Sequence, residues 1–425
     1  MLHAPIDESG FGAARQGDPM HTTARRQIIF INLAHCLTHY SLLILPTAVL
    51  VMARADGTFG AHYGSILALA TGMFVLYGVG SLPQGWLAAR VGRKAMMAVF
   101  FVGTGLSLVA AGLVSTPLGL ALALAAAGMF AAIYHPIGTA MLVDVAGDKP
   151  GRALGINGVF GNLGVALAPV ISAFLAQQSG WRAAFVAPGL ICLVAGLVWL
   201  REPAFDCHAH GTLRSFPEIP PALVRRAVIV LLLIAVVSGL VFNSFTLLLP
   251  KLMQERLASN PQLLPIVGTL AFLVTLCGAI TQFTVGHLLD RTTLKRVFLP
   301  LALVLAPALG LLSAADGWAV LILAAMVAAV IFGQVTVNET MTARYISPAL
   351  RTRMYSIRFF VGFLGAAVAA PLVGLIHERT GSLAAVIIVL AACALITLGC
   401  ALFFPDRREE LQPHLWNAGA LSPAE

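Results

Sequence analysis

The sequence predicts an all-α membrane protein: twelve transmembrane helices arranged as two pseudo-symmetric six-helix bundles. Composition, the number of long charge-free runs and a repeat at one constant offset carry that prediction. Of 425 residues, 59% are hydrophobic and only 10% are charged. Soluble domains carry about 25% charged residues, so this chain could not cover a water-facing surface of normal size. Gly and Pro are scattered through apolar sequence without a collagen-like period. Disorder, a disulfide-rich secreted scaffold and an ordinary soluble enzyme are excluded.

A membrane helix needs about 20 apolar residues, and roughly 18 without charge make a candidate. Breaking the chain at Asp, Glu, Lys and Arg leaves eleven such runs: 27–53, 57–89, 95–143, 153–181, 183–200, 227–250, 257–289, 297–315, 317–338, 359–377 and 380–405. The run 95–143 is long enough for two helices, and Ser115-Thr116-Pro117 inside it is a turn signal. Twelve spans result. No run alternates apolar and polar residues as the strands of a membrane barrel do.

Lys and Arg set the orientation. With both termini inside, the inner segments hold 21 of the 26 cations and the outer segments five. The expected location is therefore a cell inner (plasma) membrane, with both termini cytoplasmic. Topology and contact with anionic lipid account for the net charge of +8 without nucleic acid. Residues 1–26 read as a cytoplasmic tail without a cleavage-site pattern. Five Cys lie in apolar spans and Cys207 lies in an inner loop, so no disulfide and no metal site is expected of them.

The longest interior polar segment, 201–226, divides the spans six and six. The expected organisation is a tail 1–26, a bundle 27–200, a cytoplasmic loop 201–226, a bundle 227–404 and a tail 405–425. A shift of 201 positions superposes the halves. Gly85, Leu87, Arg90 and Lys94 fall on Gly286, Leu288, Arg291 and Lys295; Arg152, Ile156, Gly161, Gly164 and Gly180 fall on Arg353, Ile357, Gly362, Gly365 and Gly381. Many transporters are internal duplications with the substrate site between the repeats.

Gly85-Trp86-Leu87-Ala88-Ala89-Arg90-Val91-Gly92-Arg93-Lys94, after the second span, resembles the G-x-L-A-D-R-x-G-R-K/R signature of the major facilitator superfamily. Gly286 to Arg291, with Lys295 and Arg296, is its repeat. The resemblance covers residues 25–405. It implies that Gly85, Arg90, Gly92, Arg93, Lys94, Gly286, Asp290 and Arg291 help to lock the outward-open state by pairing with acids at helix ends. Ala89 stands where the first signature Asp would be, and Asp144 is the acid left for Arg93. The alternative is that these cations only set topology.

Span five carries Gly155, Gly158, Gly161, Gly164 and Pro169, and span eleven carries Gly362, Gly365, Pro371 and Gly374. Such spacing lets helices approach closely, and it also resembles, in degraded form, the fifth-span signature of the family's antiporters. The Arg common in the fourth span of proton-coupled drug exporters is absent near Leu124. Leu33-Ala34-His35-Cys36-Leu37-Thr38-His39, Tyr134-His135-Pro136 and Gly161-Asn162-Leu163-Gly164 distantly resemble the fosmidomycin-resistance branch of exporters. His39 and Ile137 stand where that branch has carboxylates.

Polar groups inside the membrane are costly and mark pathways or helix-to-helix bonds. Asn32, His35 and His39 share one face of span one, and His135 precedes Pro136 in span four. Asn243 lies in span seven; Gln334, Asn338 and Glu339 lie in span ten. The resemblance implies that these four spans line a central cavity. Glu339 is the only acid well inside a span. It reads either as a proton-exchanging switch or as half of a fixed pair with Arg358, with Arg344 as another possible partner.

No nucleotide-binding run, nucleophile constellation or pore signature appears, so an ATP-driven pump, an intramembrane enzyme and a channel are not supported. The expectation is a monomeric secondary transporter without cofactor, contacting lipid, protons and a small-molecule substrate. It would export a small amphiphilic or anionic compound by proton antiport. Proton-coupled uptake of a small organic anion is the alternative, and a transporter-like sensor with little flux is another.

Overall fold

The computed structural model describes residues 19–52, 58, 59, 66, 68–146, 150–203, 219, 221–257, 267–380 and 382–404. Most of the first tail and of the central loop, the whole last tail, Lys149, Cys207 and Gly381 lie outside these residues. So do the side chains of Pro169 and Pro371 and the surroundings of Gly374.

Every regular element described is a helix, because only helices and closed barrels satisfy their own backbone in lipid. Span one is α1 (Pro19–Leu42) and α2 (Ile44–Met52); span two is α3 (Thr71–Gly80) and α4 (Gln84–Val91). Span three is α5 (Arg93–Leu113), and span four is α6 (Pro117–Ala131) followed by α7 (Tyr134–Ala146). The first half ends with α8 (Pro150–Ser179) and α9 (Trp181–Arg201). The second half is α10 (Pro221–Arg256), α11 (Val267–Leu289), α12 (Leu294–Ala314), α13 (Trp318–Tyr345), α14 (Pro348–Thr380) and α15 (Leu383–Phe403).

Ten stretches of the described helices are long and apolar enough to cross a membrane. The two remaining spans are the broken α3–α4 and the Arg-bearing α14, so the architecture is consistent with twelve. Pro opens α1, α6, α8, α10 and α14, where its missing N–H costs nothing. Several helices start ahead of the charge-free runs read from the sequence, among them α1 at Pro19 and α10 at Pro221. Both extend past Arg-bearing turns because an α-helix continues beyond the apolar layer into water. The turn between α5 and α6 is capped by the Thr116 side chain, which accepts from Gly119 N–H at 3.1 Å.

The buried apolar residues form one cluster from Ile31 to Trp199, joined by Ala343 and Tyr355, and two clusters confined to 227–404. Packing repeats between the halves. The α1–α8 pair corresponds to α10–α14, and α5–α9 corresponds to α12–α15. Between the halves, α8 lies against α11, while α14 lies against α3, α4 and α7. Leu118, Phe174, Ile322 and Phe403 are each more than 60% exposed and belong to a surface suited to lipid chains.

The duplication also shows in one chemical detail. Lys94 Nζ donates to Leu200 O at 3.5 Å, and Lys295 Nζ donates to Leu402 O at 2.9 Å and Phe404 O at 3.3 Å. Each repeat's signature Lys thus caps the carbonyl end of its last helix, where a cation is favoured.

Candidate functional site

Span four breaks between α6 and α7, and α7 resumes at Tyr134-His135-Pro136. The break carries Tyr134 and His135 to α1 and α8. The His35 Nδ1 lies 2.7 Å from the Asn157 carbonyl, and His39 Nε2 lies 3.2 Å from His35 Nε2. His135 completes the group, its ring centroid 5.1 Å from His35 and 5.3 Å from His39. Asn157 is the hub of this wall. Its Nδ2 donates to Asn32 Oδ1 at 2.8 Å, and its Oδ1 accepts from Tyr134 O–H at 3.0 Å.

The second half supplies the facing wall. Phe359 of α14 lies 4.6 Å from His135, and Phe363 lies 4.8 Å from Tyr77 of α3. Arg358 places its guanidinium 4.5 Å above Phe359. Its Nε and Nη1 are buried without a hydrogen-bond partner, as are His135 Nδ1 and Tyr77 Oη. Arg358 and Glu339 interact electrostatically, but among the described residues they form no ion pair. Arg344 points elsewhere: its guanidinium donates to the carbonyls of Leu289 and Thr292. Tyr355 O–H donates to the Glu339 carbonyl at 2.8 Å.

Asn243 donates to Gly239 O of its own helix at 2.8 Å. Gln334 and Asn338 are buried, and Gln334 Nε2 and Asn338 Oδ1 have no hydrogen-bond partner. Gln334 lines a small void between α10, α12, α13 and α15 with Ser238, Phe242 and Thr397.

On the basic side, where the signature loops lie, two acids join the halves among the described residues. Asp144 pairs at once with Arg93 of its own half and Arg351 of the other. Both Asp144 and Arg351 side chains are under 10% exposed, and Arg351 also donates to Ala343 O at 3.2 Å. Asp290 accepts from Gly151 N–H at 2.9 Å and Arg152 N–H at 2.7 Å, covering the start of α8. A carboxylate is favoured there because those N–H groups lack helical partners. Burial pushes the Asp290 carboxyl above its ordinary value, against the two N–H donors and Arg344, which lower it. Arg90 and Arg291 are exposed.

Glycine makes these approaches possible. Gly85 N–H donates to Ser356 Oγ at 2.8 Å, and a Cβ on Gly85 would lie 2.6 Å from the Arg353 Cα. Gly286 abuts the Gly151 carbonyl in the corresponding place. Gly92 has φ +88 and ψ 144, a region essentially confined to glycine. Along α8 the stripe divides. Gly155 and Gly158 face Gln282 across the interface, where Asn162 also donates to Gln282 at 2.7 Å. Gly161 faces the His35 ring and Gly164 the Cys36 carbonyl. Gly362 and Gly365 of α14 face α10.

Sequence reasoning passed over Tyr77, Asn157, Arg351, Phe359 and Phe363. The repeat contained one usable signal: Asn157 and Arg358 are 201 positions apart and occupy corresponding places on α8 and α14. Arg351 has no counterpart of that kind and read only as one more inner cation.

Residues 31–274 and 231–423 match the sequence model of the Major Facilitator Superfamily. A probable L-galactonate transporter of Escherichia coli (strain K12) is 25% identical over 181 residues, 42% of this chain and 39% of that protein. A probable hexose phosphate transport protein of Chlamydia pneumoniae is 27% identical over 131 residues, 31% of this chain and 29% of that protein. The alignments therefore span well under half of either relative. Among solved structures, the proton:xylose symporter XylE superposes with a TM-score of 0.74 at 13% identity, over 91% of this chain and 97% of that one. FucP in the outward conformation gives 0.64 at 17% identity, over 90% and 100%. The human organic anion transporter TETRAN gives 0.68 at 18% identity, over 91% and 100%. At these identities the likeness is one of fold. With duplicated halves, a polar centre between them and a family match over nearly the whole chain, the protein belongs to the major facilitator superfamily, a family of membrane transporters.

Proposed function

We propose that this transporter moves a small organic anion by alternating access, coupled to protons through Glu339. The carrying observation is Arg358: a buried cation at the junction of the halves, with Nε and Nη1 unpartnered. An unpaired buried charge is expensive, and an anionic substrate would repay that cost. Glu339 interacts with Arg358 without pairing to it, so substrate and proton would compete for one electrostatic environment. In this reading the bundles 27–200 and 227–404 rock about the site. The tails and the loop 201–226 lie in the cytoplasm, and the chain works as a monomer in the inner membrane.

Export by proton antiport is the first direction, in keeping with the span-one and span-four segments that resemble the fosmidomycin-resistance branch. Uptake by proton symport is the second, favoured by relatives whose names give a sugar acid and a sugar phosphate as cargo. Accumulation of labelled sugar acids, hexose phosphates and fosmidomycin in efflux-deficient bacteria separates them. Wild type, Glu339→Gln, Arg358→Gln and empty vector are compared with and without a protonophore. Export lowers accumulation and uptake raises it, and either effect disappears with protonophore or Arg358→Gln. A flux unchanged by Arg358→Gln overturns the anion reading; a flux unchanged by Glu339→Gln overturns the coupling role.

A further inference from the structure

The histidine group has a geometry that hydrogen bonding within the protein does not use up. One ring nitrogen from each of His35, His39 and His135 lies within 4.8 Å of the others. A carbonyl can only accept, so the 2.7 Å contact to Asn157 O puts the His35 proton on Nδ1 and leaves its Nε2 as an acceptor, with a lone pair for which a metal ion would compete with the His39 N–H. That Nε2 is 3.2 Å from His39 Nε2. Two imidazoles bound tetrahedrally at 2.0–2.1 Å stand about 3.3 Å apart at their nitrogens. His135, held by the break in span four, keeps a buried Nδ1 with no partner.

The surroundings hold these rings in place. Tyr134 stacks on His35 with centroids 4.9 Å apart, and its hydroxyl holds Asn157, whose backbone orients His35. Gly161 leaves room for the ring, because a Cβ there would lie 2.6 Å from it. A ligating histidine fixed through its second nitrogen by a carbonyl is the usual outer-shell arrangement at metal sites.

We propose that His35, His39 and His135 form a binding site for one divalent transition-metal ion, with zinc as the reference ion. Three neutral imidazoles suit zinc, copper, nickel or cobalt and do not suit magnesium or calcium, which require oxygen donors. Three protein ligands leave a fourth position for water or a ligand from the cavity, the pattern of exchangeable rather than structural ions. Arg358 acts electrostatically on His135 and opposes a dication, so removing its charge tightens binding.

The test is equilibrium dialysis of the purified, chelator-treated full-length protein against zinc chloride in detergent. Wild type is expected to bind one zinc per chain and to unfold at a higher temperature when zinc is present. His35→Ala and His39→Ala should each weaken binding by about 100-fold or more, whereas Asn157→Ala, which keeps the backbone carbonyl that orients His35, should weaken it only a few-fold. His287→Ala, in the last turn of α11 and bonded to Phe283 O of its own helix, should leave it unchanged. Arg358→Gln should strengthen it several-fold, a gain that misfolding cannot imitate. Cobalt in place of zinc should give the visible bands of a tetrahedral nitrogen site, lost in His39→Ala. The proposal is overturned by wild-type protein that takes up no zinc and shows no thermal shift. It is equally overturned by binding that survives both His35→Ala and His39→Ala, which would leave the group a hydrogen-bonded triad.

Discussion

Arg358 shows how one side chain can be unfavourable for the fold and useful to it. It is 7% exposed, lies over Phe359 and has two guanidinium nitrogens without partners. A buried charge without an ion-pair partner bears its desolvation cost uncompensated, and an apolar side chain of similar volume removes that cost. Arg358→Met is therefore expected to raise the unfolding free energy by about 1–3 kcal/mol while substrate flux falls to the level of empty vector. Thermal unfolding in detergent and flux in cells read the two effects on the same variant. Asn157 is the opposite case. Its amide is satisfied on both sides by Asn32 and Tyr134, so it stabilises the wall on which the histidines sit.

Among the elements, α8 does the most to join the molecule. Its first turns meet α11 of the other half through Gly151, Gly155 and Gly158, and its middle meets α1 through Gly161 and Gly164. A Cβ at position 164 would press on the Cys36 carbonyl, a backbone group that cannot rotate away. Gly164→Ala is expected to destabilise by about 1–3 kcal/mol through forced separation of α1 and α8. Gly310 on α12 meets nothing within 4 Å, so Gly310→Ala should be neutral or stabilising by up to about 1 kcal/mol from helix propensity alone. Parallel thermal denaturation of the two variants checks the contrast. In lipid, where burial of apolar surface does not drive helices together, small residues set how closely and in what register they pack.

For the whole molecule, the two acids that join the halves on the basic side do so in unlike ways. The second half retains its signature Asp290, which covers the start of α8. The first half has Ala89 at the corresponding place, and Asp144 with Arg351 joins α7 to α14 instead. Removing one partner of a buried ion pair costs about 3–5 kcal/mol, and that cost falls only on the state in which the pair is made. Asp144→Asn should therefore shift the population towards opening on the basic side by two orders of magnitude or more. Spin labels at the exposed positions 90 and 291 would report a longer distance. Asp290→Ala, which removes a helix cap worth about 0.5–2 kcal/mol, should shift it less. An unchanged distance in Asp144→Asn would show that the glycine contacts alone hold the closure.

Membrane residence, the eleven charge-free runs, the duplication and the family signature were legible in the chain itself. Each depends on properties that sum residue by residue: transfer cost into lipid, the position of cations, and identity at a fixed offset. Glu339 and the three histidines were also legible as polar exceptions in apolar helices. Which of them meet was not. Asp144 and Arg351 are 207 positions apart, and the absence of a Glu339–Arg358 pair depends on the rotation of α13 and α14 about their axes. The break in span four that delivers His135, and the role of Asn157, depend on helix register too. The sequence by itself determined which segments enter the membrane and in what order. Only the tertiary structure decided which polar groups face one another, because interhelical contacts are fixed by close packing around small residues and not by hydropathy.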